Sequence, residues 1–130
     1  MKLRRTLAAT AVSLLIACGD SSGPAAGNLT VNLTTPNSGF DGAVMLVLSS
    51  PVAPTSVTAG AGLTLWGGPV TTTSVKLVLT GTLSTGPILT LHVNDVNQVS
   101  QYSVSLQQVA STGFALRPSP LTGYSATVTK

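Results

Sequence analysis

Three aspartates, one histidine and one cysteine are all the acidic, imidazole and thiol side chains in this chain of 130 residues. Acid–base work by paired carboxylates needs two of them about 5 to 10 Å apart. Only Asp41 and Asp95 fall in the main body of the sequence, each in a segment rich in Gly, Asn and Ser where a short polar side chain is expected to serve a turn. His92 precedes Asp95 by three positions, but a zinc site takes three or four protein ligands, and the chain has no second histidine. His92 is therefore expected on the polar face of a strand. Asn94, Asp95 and Asn97 could offer oxygen ligands to calcium, yet the spacing is not that of an EF-hand. Asn94 and Asp95 are retained as candidate binding residues, with no metal assigned. Gly19-Asp20-Ser21-Ser22-Gly23 has the letters of a nucleophile elbow without the strand before it or the helix after it. Gly60-Ala61-Gly62 opens like a dinucleotide loop, but Leu65 stands where the third glycine belongs. The expectation is a protein that is not an enzyme and uses no cofactor.

Binding without catalysis puts weight on the aromatics. Trp66 ends a short apolar alternation just before Gly67-Gly68-Pro69, and tryptophan at such a position can anchor a partner or stack on a sugar ring. Filling one end of the core is the more expected role for it, and Trp66 is a candidate binding residue on the condition that it is exposed. Tyr102 and Tyr124 alternate with aliphatic residues and are expected in the core with their hydroxyls at the rim. Arg117, ahead of Pro118, is expected on a surface loop.

Cys18 has its own context. Lys2, Arg4 and Arg5 precede an apolar run of 11 residues from Leu7 to Ala17. That is the layout of a secretory signal, and it falls short of the roughly 20 residues that span a bilayer. The junction Leu15-Ile16-Ala17-Cys18 resembles the lipobox of bacterial lipoproteins at every position. The resemblance implies removal of residues 1–17 and a diacylglyceryl group on the Cys18 thiol, which would anchor the protein to a membrane of the cell envelope. It also gives a use to a lone cysteine that has no intramolecular disulfide partner. Gly19, rather than aspartate, follows the cysteine, which in a two-membrane bacterium implies the outer membrane.

The six Lys and Arg outnumber the three acids, but the excess is the signal. Beyond it Lys76, Arg117 and Lys130 balance Asp20, Asp41 and Asp95, so no basic surface for nucleic acid is expected. Only 7% of residues are charged, glutamate is absent, and Thr, Ser and Val are plentiful, which favours strands over helices.

Residues 18–28 form a small, polar linker after the signal, and residues 29–130 suffice for one domain. Period-two alternation marks strands at Leu29–Leu33, Val75–Leu79, Leu89–Val93, Tyr102–Leu106 and Tyr124–Val128, with weaker ones opening at Val57 and Leu63. The unbroken apolar run Ala43–Leu48 predicts a central strand covered on both faces, and Leu106–Ala115 admits a helical turn. The expected fold is all-β: a single antiparallel β-sandwich of seven to eight strands. At the level of fold it resembles cohesin-like or immunoglobulin-like sandwiches. With its address the chain resembles short lipoproteins of environmental bacteria, which implies an envelope protein with a structural or interaction role. Its partner would be an unidentified envelope protein or glycan. Cys18→Ala is expected to abolish metabolic labelling with radioactive palmitate, and equal labelling of both forms would refute lipidation.

Overall fold

A computed structural model describes residues 23–67 and 70–130. The signal, Cys18 and most of the linker lie outside the described residues, as do Gly68 and Pro69. Eight strands occur in the order β1 (Gly27–Thr34), β2 (Asp41–Ser49), β3 (Ser56–Ala59), β4 (Thr64–Trp66), β5 (Ser74–Leu83), β6 (Gly86–Val93), β7 (Ser103–Ser111) and β8 (Ser125–Thr129). They build two antiparallel sheets, β3-β6-β1-β8 and β4-β5-β2-β7, packed as a sandwich.

The alternations dictate the packing. Leu29, Val31 and Leu33 of β1 and Leu89, Leu91 and Val93 of β6 turn inward from the first sheet. Val44, Leu46 and Leu48 of β2 meet them from the second, beside Leu77 and Leu79 of β5 and Val109 of β7. A bulge between Val31 and Asn32 leaves Ile88 without a partner on β1, so Ile88 and Leu89 are buried one after the other.

The structure corrects several expectations. β2 is central, but only one of its faces is covered. Ala43, Met45 and Val47 on the other face stay partly exposed, because a continuous apolar run does not by itself reveal whether a second layer exists. Leu106–Ala115 holds no helical turn. The pairing with β2 skips Gln107, so Leu106 and Val109, three apart, both face inward and imitate helical spacing within a strand. Residues 96–101, a polar stretch without alternation, form a short 3-10 helix whose N-cap is Asp95. The chain is also fixed to the domain before residue 29: Ala25 donates its N–H to Asp95 and accepts one from Val96, and β1 begins at Gly27.

The largest departure is Asp41. Expected in a turn, it opens β2 and is fully buried. Its Oδ1 accepts from Arg117 Nε at 2.8 Å and from the Tyr124 hydroxyl at 3.2 Å, while Oδ2 accepts from the Thr35 hydroxyl at 2.5 Å. Arg117, expected on a surface loop, thus turns inward. Its hydrogen bond to Asp41 raises the guanidinium pKa above its ordinary value, against a smaller effect of burial that lowers it. The carboxylate is fully buried and accepts three hydrogen bonds, while the Arg117 side chain keeps 24% of its surface exposed and can turn to water. Asp41→Ala instead leaves the buried Thr35 hydroxyl without its acceptor, a loss of about 1 to 3 kcal/mol, and is expected to lower Tm by about 5 °C or more in a thermal melt.

Candidate functional site

The uncovered face of the second sheet gathers the side chains that can meet a ligand. Register places Trp66 opposite Val78, Val78 opposite Met45, and Met45 opposite Gln108, in one row across β4, β5, β2 and β7. The next row runs Thr64, Thr80, Ala43, Ala110, and the last of these bridges to Leu116 in the segment after β7. All of these residues point away from the core, because Leu65, Leu79, Val44 and Val109 take the inner positions between them.

Trp66 is not a core plug: 58% of it is exposed. On a strand of three residues its side chain alternates outward with Thr64, while Leu65 turns in. The indole Nε1 donates to the Thr80 hydroxyl at 2.8 Å, a diagonal cross-strand contact that pins the ring over the sheet. The ring is therefore both exposed and held.

Beside it the sheet is dimpled. Met45, Val78, Gln108, Ala110 and Leu116 surround a depression of about 110 Å³. A wider one of about 470 Å³ adjoins it, between Thr80, Thr82, Thr112 and Phe114. Glycine sets its depth: a Cβ on Gly42 would lie 2.9 Å from the Thr112 backbone, so only glycine lets the turn after β7 close this tightly. In that turn Phe114 has φ 64°, a left-handed conformation uncommon for a bulky side chain, and is 88% exposed.

Asn94 and Asp95 lie elsewhere, at the end of β6. Asp95 Oδ1 accepts the backbone N–H of Asn97 at 3.0 Å and that of Ala25 at 3.2 Å, so this carboxylate caps the 3-10 helix and fixes the incoming chain. The two residues border a depression of about 190 Å³ together with Pro24 and Tyr102. Burial, and to a smaller extent the charge of Asp95, raises the Tyr102 phenol above its ordinary pKa. Lys130 donates to Asn97 Oδ1 at 3.2 Å and brings a cation to this corner. The structure does not bring Asn94 and Asp95 together with Trp66. His92 faces Thr58 across the first sheet, with Nε2 and Oγ1 3.3 Å apart. Among the described residues no group of three or more His, Cys, Asp or Glu side chains converges.

Sequence reasoning named Trp66 but not its neighbours. Val78 was legible as an outward residue, since it alternates with the inward Leu77 and Leu79. Met45 was concealed in the unbroken run of β2, Gln108 by the bulge, and Leu116 by a pairing that no local pattern announces.

Comparison of the chain with protein-family models, with curated proteins and with solved structures gives no match. The chain forms a small all-β sandwich. Because Trp66 lies outside the core, Trp66→Ala is expected to cost about 1 kcal/mol in a urea melt, for the hydrogen bond and partial contact, against about 3 to 5 for a core tryptophan.

Proposed function

We propose that this protein is a lipid-anchored module of the bacterial cell envelope that acts by binding rather than by catalysis, and that it binds through the outer face of the β4-β5-β2-β7 sheet. The observation that carries the reading is the pinned, exposed indole of Trp66 at the head of a partly exposed apolar row. Tryptophan in such a setting is the side chain most enriched among residues that dominate binding energy. The lipobox residues Leu15–Cys18 and the small, polar segment after them support attachment through lipid on Cys18, with the outer membrane favoured in a two-membrane source. Within the strands of this sheet Lys76 is the one charged side chain that faces out, so nothing there steers a strongly charged partner.

The pinned indole favours a second, narrower reading, in which the partner is a carbohydrate or another small ligand rather than a structural protein of the envelope. Asn94 and Asp95 contribute to neither reading through Trp66, and Asp95 is engaged as the cap of the 3-10 helix.

Single cysteines at Gln108 and Thr127 test the face itself. Gln108 lies on it, and Thr127 is exposed on β8 of the other sheet. In intact envelopes a maleimide probe is expected to label Gln108→Cys several-fold more slowly than in the detergent-extracted protein, and Thr127→Cys equally in both. Equal rates at both positions would refute an occupied face.

A further inference from the structure

Resting on the reading of this face as the binding surface, we propose that its occupant is a neutral oligosaccharide chain, laid across the strands from Trp66 over Val78 and Met45 to Gln108. The chemistry of each contact points the same way. The Trp66 N–H is already used by Thr80, so the indole offers a ligand chiefly its π face. That face is electron-rich and attracts polarised C–H groups. A pyranose presents such C–H groups on its flat faces and hydroxyls around its rim. The floor beside the ring, Val78 and Met45, suits the apolar faces of further sugar units. Hydroxyls at the rim require both donors and acceptors, and these are supplied along the strip by Thr64, by Thr80 and by the Gln108 amide, which lies exposed at the far end of the row.

Charge selects within this class. No carboxylate lies on the outward positions of β2, β4, β5 or β7, which removes the partner a cationic ligand would need. Lys76 alone, one row away, does not make the paired cationic site that a uronate or phosphate chain would use. A ligand with uncharged apolar faces and a hydroxyl rim complements an apolar row flanked by Thr64 and Thr80.

Neighbouring strands are about 4.8 Å apart, so the row from β4 to β7 is about 14 Å long. The strip matches a few sugar units in line, and it runs along the row rather than down into a deep pocket.

The chain contains one tryptophan, so its own fluorescence reports on the site. The full chain, extracted in detergent micelles, is titrated with hexasaccharides of β-1,4-linked glucose, β-1,4-linked N-acetylglucosamine and α-1,4-linked glucose. Hexagalacturonate serves as the anionic counterpart. At least one neutral hexasaccharide is expected to give a saturable fluorescence change, confirmed by calorimetry, with an affinity that barely changes between low and physiological salt. Trp66→Ala should weaken it at least about 30-fold by calorimetry, the factor that corresponds to the loss of an anchor residue. Trp66→Phe, which keeps a ring, should retain part of the affinity, Gln108→Ala should weaken it several-fold, and Thr127→Ala should leave it unchanged. Thermal melts of each variant establish that it is folded.

The proposal is overturned if none of the three neutral hexasaccharides binds at about 10 mM, a concentration that fills even a site of millimolar Kd. It is also overturned if binding survives Trp66→Ala, or if hexagalacturonate alone binds. Protection of Gln108→Cys in envelopes without oligosaccharide binding would overturn the glycan while the interaction face stood, and a protein crosslinked to that position would then be its occupant.

Discussion

A carboxylate removed from water must be met by donors, and in this sandwich the donors for Asp41 come from across the sequence. Thr35 supplies one from the loop after β1, Arg117 another from the segment after β7, and Tyr124 a third from the approach to β8. Asn37 in turn donates through its side chain to the Tyr124 hydroxyl and through its backbone N–H to the Thr35 hydroxyl. An isolated buried charge costs several kcal/mol, so the carboxylate confines these loops to the arrangement that satisfies it. Arg117 carries the constraint further. Its backbone N–H reaches the Val109 carbonyl and its guanidinium the Phe40 carbonyl, which folds residues 112–124 back along β7 and sets up the bridge from Ala110 to Leu116. Leu116 borders the proposed binding strip because Asp41, on the opposite side of β2, is satisfied in this way.

The second sheet has one buried face and one uncovered face, and in a charge-poor chain several features work against its pairing with itself. The edges are one of them. β3 has four residues and β4 three, too few to template a long ladder, and β7 is interrupted by the bulge at Gln107. The face itself is another. Its apolar row is narrow, flanked by Thr64, Thr80 and Ser105 and marked by Lys76, so little area would be buried on pairing. A surface with these features can offer a small ligand a platform without the extended patch that drives aggregation.

Most of the fold was legible because it rests on period-two alternation, and alternation survives wherever a strand pairs regularly. Leu29–Leu33 and Leu89–Val93 are buried as their spacing demands. Legibility fails where register slips or partners are remote. One skipped residue at Gln107 turned a strand into an apparent helical turn. Asp41 looks like any turn aspartate until Arg117 and Tyr124, 76 and 83 positions later, are brought beside it. The site divides in the same way. Trp66 and Val78 could be read locally, but the direction of Trp66 depends on the inward turn of Leu65 against Leu79, which is a tertiary fact. Asn94 and Asp95 were legible as polar clustering. Asp95 caps the 3-10 helix through Asn97, two residues on, but its second bond, to Ala25 70 positions earlier, is one that no local pattern announces.

The same cap bears on where a lipid-anchored domain can act. Asp95 fixes the chain at Ala25, so with Cys18 lipidated as proposed, seven residues join the membrane to the domain. Fully extended, they span at most about 25 Å. The proposed binding face runs along β2 and β5, so its occupant would lie within that reach plus the length of those strands, about 30 Å, from the bilayer. Anionic headgroups give such a layer a negative potential that acts on basic and acidic surfaces alike. Beyond the signal this chain carries three basic and three acidic residues, and Asp41 and Arg117 are consumed in each other. A domain lipidated as proposed would be neither drawn onto the headgroups nor driven from them, and the tether would set its position.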